Sequence, residues 1–161
     1  MSLNIKIIAL IIFPLWATPA FTQTIATCKG PEGFANYHDS GLVEKKDSGF
    51  QEDKITGGNI TIMRMQDGKY DILFLDATKT ITSVMGQGGQ VAILRKGTTD
   101  ATFMNFYPGM GTIELYTLWL DSEGSGRYDL IQSKGGDNSL IHKSVVMSGL
   151  CDSINFDLIT Q

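Results

Sequence analysis

From Thr112 to Leu120 the apolar residues alternate as only an extended strand can use them. Ile113, Leu115, Thr117 and Trp119 fall on one face and Glu114, Tyr116, Leu118 and Leu120 on the other, because strand side chains repeat with a period of two. Both faces are largely apolar. An edge strand could not expose that much hydrocarbon, so this arm is expected at the centre of a sheet, with one face in a core and the other covered. The polar run Asp121-Ser122-Glu123-Gly124-Ser125-Gly126 separates it from a second apolar arm, Arg127 to Ser133. The stretch Gly111 to Ser133 therefore predicts a β-hairpin.

The rest of the chain reads the same way. Thr24 to Lys29 predicts a first strand, after which Gly30 to Gly58 loses periodicity. So long an irregular segment either serves a function or contains an element of its own, for which Gly41 to Lys45 and Phe50 to Ile55 are the candidates. Ile60 to Met65 and Lys69 to Asp76 flank Asp67-Gly68, the dipeptide that a type I′ turn demands because both central residues there take positive φ. Tyr70, Ile72 and Phe74 share one face of the second of these arms, with Leu73, Leu75 and Ala77 on the other. Thr80 to Met85, Val91 to Lys96 and Ala101 to Tyr107 follow, punctuated by Gly86-Gln87-Gly88-Gly89 and Pro108-Gly109. Ser139 to Leu150 fits a helical stripe as well as a strand, but β-branched Ile141, Val145 and Val146 favour the strand. Asn155 to Ile159 adds a short last element. About eight or nine strands at this spacing predict an all-β fold, an antiparallel meander that closes as a lipocalin-like or calycin-like barrel or folds over as a sandwich.

Length and composition narrow this picture. A chain of 161 residues has room for one domain with a real core. Its 13 basic and 17 acidic residues give a net charge of −4, a poor match for polyanions, so nucleic acid is not an expected partner. Met1 to Ala20 has the form of a signal peptide: Lys6 in the n-region, an apolar run from Ile7 to Trp16, and small residues at Thr18 and Ala20. Residues 21–161 then form the mature domain, placed in the periplasm or outside the cell. Export gives the two cysteines a meaning, since an oxidising compartment would join Cys28 to Cys151 if the fold brings the chain ends together. The competing reading of Ile25-Ala26-Thr27-Cys28 is a lipobox with an acylated cysteine.

Motifs for chemistry are sparse. Asp121 to Gly126 superficially matches a calcium loop, but its twelfth position is Gln132 and it joins strands, so it reads as an acidic hairpin loop. Gly86 to Gly89 precedes a strand rather than a helix N-terminus and reads as a turn, not a phosphate cradle. His38 and His142 do not form a zinc signature, and no Gly-x-Ser-x-Gly elbow marks a nucleophile. No cofactor motif is present. Glu114 with a partner carboxylate is the one arrangement that would suit glycoside hydrolysis. The aromatics are more suggestive: Tyr107 and Trp119 in the central strands and Tyr37 in the long irregular segment would line a barrel mouth, with that segment as a lid over a small apolar or sugar-like ligand.

Asp71-Ile72-Leu73-Phe74, Tyr116-Thr117-Leu118-Trp119, Gln132-Ser133-Lys134-Gly135-Gly136 and Ser148-Gly149-Leu150-Cys151 carry a resemblance over most of the mature chain. On these residues the chain resembles small uncharacterised exported proteins of proteobacteria. The resemblance implies a periplasmic location and brings no activity or functional residue with it. In architecture the chain is also similar to small periplasmic barrels such as C-type lysozyme inhibitors. The resulting expectation is a non-enzymatic binding module for a small ligand or an envelope protein, the alternative being a hydrolase or inhibitor acting on cell-envelope glycans.

Overall fold

The computed structural model describes residues 22–75 and 79–160. The signal segment Met1 to Ala20, together with Asp76 and Ala77 at the end of one predicted strand, lies outside the described residues. Ten strands are present among those described: β1 Gln23–Tyr37, β2 Gly49–Lys54, β3 Asn59–Arg64, β4 Tyr70–Leu75, β5 Ile81–Ser83, β6 Gln90–Lys96, β7 Asp100–Tyr107, β8 Thr112–Leu120, β9 Gly126–Lys134 and β10 Lys143–Ile154. The two remaining elements are single 3-10 turns, Lys45–Asp47 and Phe156–Leu158. The strands form one antiparallel sheet in the order β5-β4-β3-β1-β10-β9-β8-β7-β6, with β2 paired to β1 beside this path, and the sheet curls into a half-barrel.

The β8–β9 hairpin lies where the alternation puts it, with β7 and β10 on its flanks. Its inner face carries Tyr116, Leu118, Tyr128 and Leu130 into the core. The Tyr70 ring stands edge-on to Phe103 at 5.3 Å, and the Phe74 and Tyr116 centroids are 6.0 Å apart. These contacts reach from β4 to β7 and β8, across the hollow of the curl, so side chains fill the interior. Burying each such side chain contributes roughly 1.5–3 kcal/mol.

The outer face departs from expectation. Phe34, Val146, Ile131, Leu115 and Met104 form one cross-strand row from β1 to β7, and nothing among the described residues covers it. Phe34 and Val146 are 57% and 60% exposed, and Ile113 on the same face is 51% exposed. A curled sheet has only one inside. Apolar residues on its convex side still gain from cross-strand contact with one another, so the pattern of a two-sided strand arises without a second layer.

Three local expectations are also revised. The segment Gly30 to Gly58 is not a lid, because β1 runs on through it to Tyr37 and β2 returns beside it, close to the Phe50 to Ile55 candidate, whereas Gly41 to Lys45 forms no strand. Register shifts at Thr27/Cys28 and Lys29/Glu32 bend β1 and break the alternation that would have revealed it. At Asp67-Gly68 only Gly68 has positive φ, 81°. The Gly68 amide donates to the Met65 carbonyl at 3.0 Å and the Met65 amide to the Lys69 carbonyl at 2.8 Å, the three-residue form in which one left-handed residue follows a tight turn. β10 is a strand, but it starts at Lys143 rather than Ser139.

Cys28 and Cys151, 123 residues apart, are register partners on β1 and β10 and form a disulfide, which removes the lipobox reading. The bridge lies in the middle of the sheet, while the open edges are β5 and β6. One end of the opening between the flanking strands is tied by the C-terminal tail. Lys96 of β6 donates to the Ile159 carbonyl at 2.7 Å, and the Tyr70 hydroxyl of β4 donates to the Thr160 carbonyl at 2.7 Å while accepting from the Thr160 amide at 2.8 Å. Ile159 is buried between these anchors. Replacing both cysteines by alanine is expected to lower the unfolding free energy by about 2–5 kcal/mol in denaturant titrations, because without the bridge the unfolded chain regains the entropy of a loop this long.

Candidate functional site

The end of the half-barrel opposite the tail carries the most concentrated polar chemistry. Glu114 sits on the inner face of β8, opposite Asn105 of β7 and Gln132 of β9. It is buried at 7% exposure, which for a carboxylate requires compensating donors. Three supply them: Asn105 Nδ2 donates to Oε2 at 2.9 Å, the Tyr116 hydroxyl donates to Oε2 at 2.8 Å, and Gln132 Nε2 donates to Oε1. Asn105 is fully buried, and its Oδ1 has no partner among the described residues.

Above this cluster opens a cleft of about 400 Å³. Tyr107, Thr112, Glu114, Gln132 and Lys134 line it from the sheet, and Gln87, Met110 and Leu140 from the surrounding loops. The loop bearing Gln87 is held by Asp71, a buried acid on β4 whose carboxylate accepts from the Ser83 hydroxyl at 2.6 Å and the Met85 amide at 3.1 Å. Tyr107 packs against the same loop at Gly89, where a Cβ would come within 2.9 Å of the ring. Gly86 to Gly89 is thus a turn whose last glycine makes room for an aromatic wall. Burial, and secondarily the negative charges of Glu114 and Asp71, push the Tyr107 phenol well above its ordinary value. Tyr116 is raised by burial and by Glu114, and Tyr128 by burial.

Of the three aromatics singled out by sequence, the structure brings Tyr107 alone to this cleft. Trp119 lies on the outer face towards the far end of β8, in register with Asp100 and Arg127. Tyr37 faces inward at the end of β1, but its hydroxyl donates to Asp53 at 3.0 Å, and the Lys143 ammonium lies 3.3 Å from Asp53 and 5.2 Å from the Tyr37 ring centroid. The sequence reading did not name Asn105 or Lys134 as site residues and weighed Gln132 only as the twelfth position of a calcium loop, although each is a polar side chain at an inward position of an apolar strand, which is the signal that points to them.

The other sequence candidates are engaged structurally. Asp121 accepts from the Glu123 and Ser125 amides at 3.0 and 2.9 Å and from Arg127 Nε at 3.1 Å, which organises the β8–β9 loop. The His38 amide donates to the His142 carbonyl at 3.0 Å, since the end of β1 meets the start of β10, while the His142 ring lies within hydrogen-bond distance of the Gly136 and Ser139 carbonyls. Comparison with protein families, curated proteins and solved structures finds no match to this chain.

The tyrosines give a pH dependence with a definite sign. Each of Tyr107, Tyr116 and Tyr128 binds its proton more tightly folded than unfolded, where the value is near 10.0. Their contribution is intact below pH 10 and is lost as pH rises above it, because the unfolded chain releases its protons first. In an alkaline titration these three phenols are expected to ionise only together with the loss of near-ultraviolet circular dichroism.

Proposed function

We propose that this chain is an exported, non-enzymatic binding module that uses the open end of its half-barrel, in the manner of a calycin, to hold a small polar ligand. One observation carries the reading: a buried carboxylate, fixed by three protein donors, forms the floor of a cleft open to solvent. Ligand sites of this kind combine a few convergent polar groups with apolar walls, and here Met110, Leu140 and the Tyr107 ring supply the walls. The filled interior argues for a ligand held at the rim rather than swallowed by the barrel. The disulfide is compatible with an extracytoplasmic protein, and no described helix is long and apolar enough to cross a membrane.

The cleft composition favours binding over hydrolysis. Two-carboxylate glycoside cleavage needs a pair of acids facing each other, and Glu114 is the one carboxylate among the residues lining this cleft. The other buried acid, Asp71, has its oxygens occupied in holding the Ser83–Met85 loop. A second reading has its own support: the uncovered row Phe34, Val146, Ile131, Leu115 and Met104 suits docking on an envelope protein with an apolar strip of its own.

Two experiments separate the two readings. With isotope-labelled protein and a library of small polar metabolites, the ligand reading expects amide shift changes confined to residues around Gln87, Tyr107, Gln132 and Lys134. A library without any such response would overturn it. Docking instead expects Phe34→Ser with Val146→Ser to abolish partner crosslinking while changing stability by no more than about 0.5 kcal/mol per exposed site.

A further inference from the structure

We propose that the ligand of the Glu114 cleft carries one carboxylate together with a hydroxyl or ammonium donor, the carboxylate seated on Lys134 and the donor on Glu114; this rests on the binding reading above. Lys134 follows Gln132 by two residues on β9, so both side chains point to the inner face, and it pairs with Thr112. It is half-buried and lines the cleft, yet its ammonium has no acceptor within hydrogen-bond or ion-pair distance among the described residues. The contrast is with Lys143, its cross-strand neighbour on β10, which is paired with Asp53 at 3.3 Å. Two lysines in one row thus have different environments, and only Lys134 is left to meet an incoming anion. A partly desolvated ammonium gains more from such a partner than an exposed one does.

Glu114 supplies the second half. Gln132 takes one position on Oε1, and a carboxylate oxygen has a second lone pair for a further donor. Gln132 uses Nε2 on Glu114, and its own side-chain oxygen has no partner among the described residues, which adds an acceptor beside the carboxylate. Glu114 and Lys134 are diagonal neighbours across β8 and β9, with backbones about 7–8 Å apart, and they do not pair with each other. A ligand bearing a single anionic group and a donor a few bonds away bridges that separation. A divalent cation on Glu114 would face the Lys134 charge, and a dianion such as a phosphate monoester on Lys134 would face Glu114. The chemistry therefore selects amino acids or acidic sugars, whose carbon frames rest on Tyr107 and Leu140.

Calorimetric titration of the full mature protein with two sets of probes tests this. One set holds neutral L-amino acids, the other glucuronate and N-acetylneuraminate, each beside its methyl ester. The expected result is binding by at least one set, with the ester weaker by about 10- to 100-fold, the loss of one charge-assisted contact. Lys134→Met, a change at the rim whose folding is checked by circular dichroism, should reduce the acid to the affinity of its ester and leave the ester unchanged. The set that binds identifies the source of the carboxylate. Equal affinity of acid and ester, with shift changes still confined to the cleft, would overturn the ligand class and leave the binding reading standing. Binding by neither acid nor ester, with no shift change at the cleft for any other small molecule, would overturn both.

Discussion

The pairing of β1 with β10 is the contact on which the rest of this structure depends. From β6 to β10 the sheet is a plain meander, and β3 to β5 form another; β1 joins the two by pairing with β10 on one side and β3 on the other. The partners lie at opposite ends of the described chain, so forming this contact closes nearly the whole loop, at an entropic cost that local hairpins avoid. The Cys28–Cys151 bridge lies within that junction and lowers the cost by keeping the unfolded chain closed.

The same curl decides what each face of the sheet is for. Inward positions collect the large rings, and the inward row at the open end substitutes Asn105, Glu114 and Gln132 for apolar residues. Such a substitution in mid-sheet is stable only because register sets the three side by side, so that amides and a phenol donate to the carboxylate. Outward positions are freer. The apolar row there is compatible with the fold but not required to bury itself, and its exposure leaves it available to another surface.

Several features are legible in the residues themselves. The alternation of Ile113 to Leu120 placed β8 at the centre of a sheet, and the positions of Cys28 and Cys151 on either side of a meander anticipated their bridge. The second half of β1 was not legible, because its bulges break the period of two and the short exposed β2 carries little apolar signal. The turn at Asp67-Gly68 was right in place and wrong in kind, since Asp-Gly also suits a turn in which glycine alone is left-handed. Of the three aromatics named from the sequence Tyr107 alone lines the cleft, and Lys134 and Asn105 carry no local signal beyond a polar side chain at an inward strand position.

Local order is what this sequence determined by itself: which segments extend, where they turn, and which two thiols are available to join, all consequences of side-chain size and backbone preference acting over a few residues. Tertiary structure alone decided that the sheet curls one way, leaving the outer row uncovered, and that Glu114, Asn105, Gln132 and Lys134 meet at one end. Those outcomes depend on register between strands far apart in the chain, where a shift of a single residue would turn every inward side chain outward.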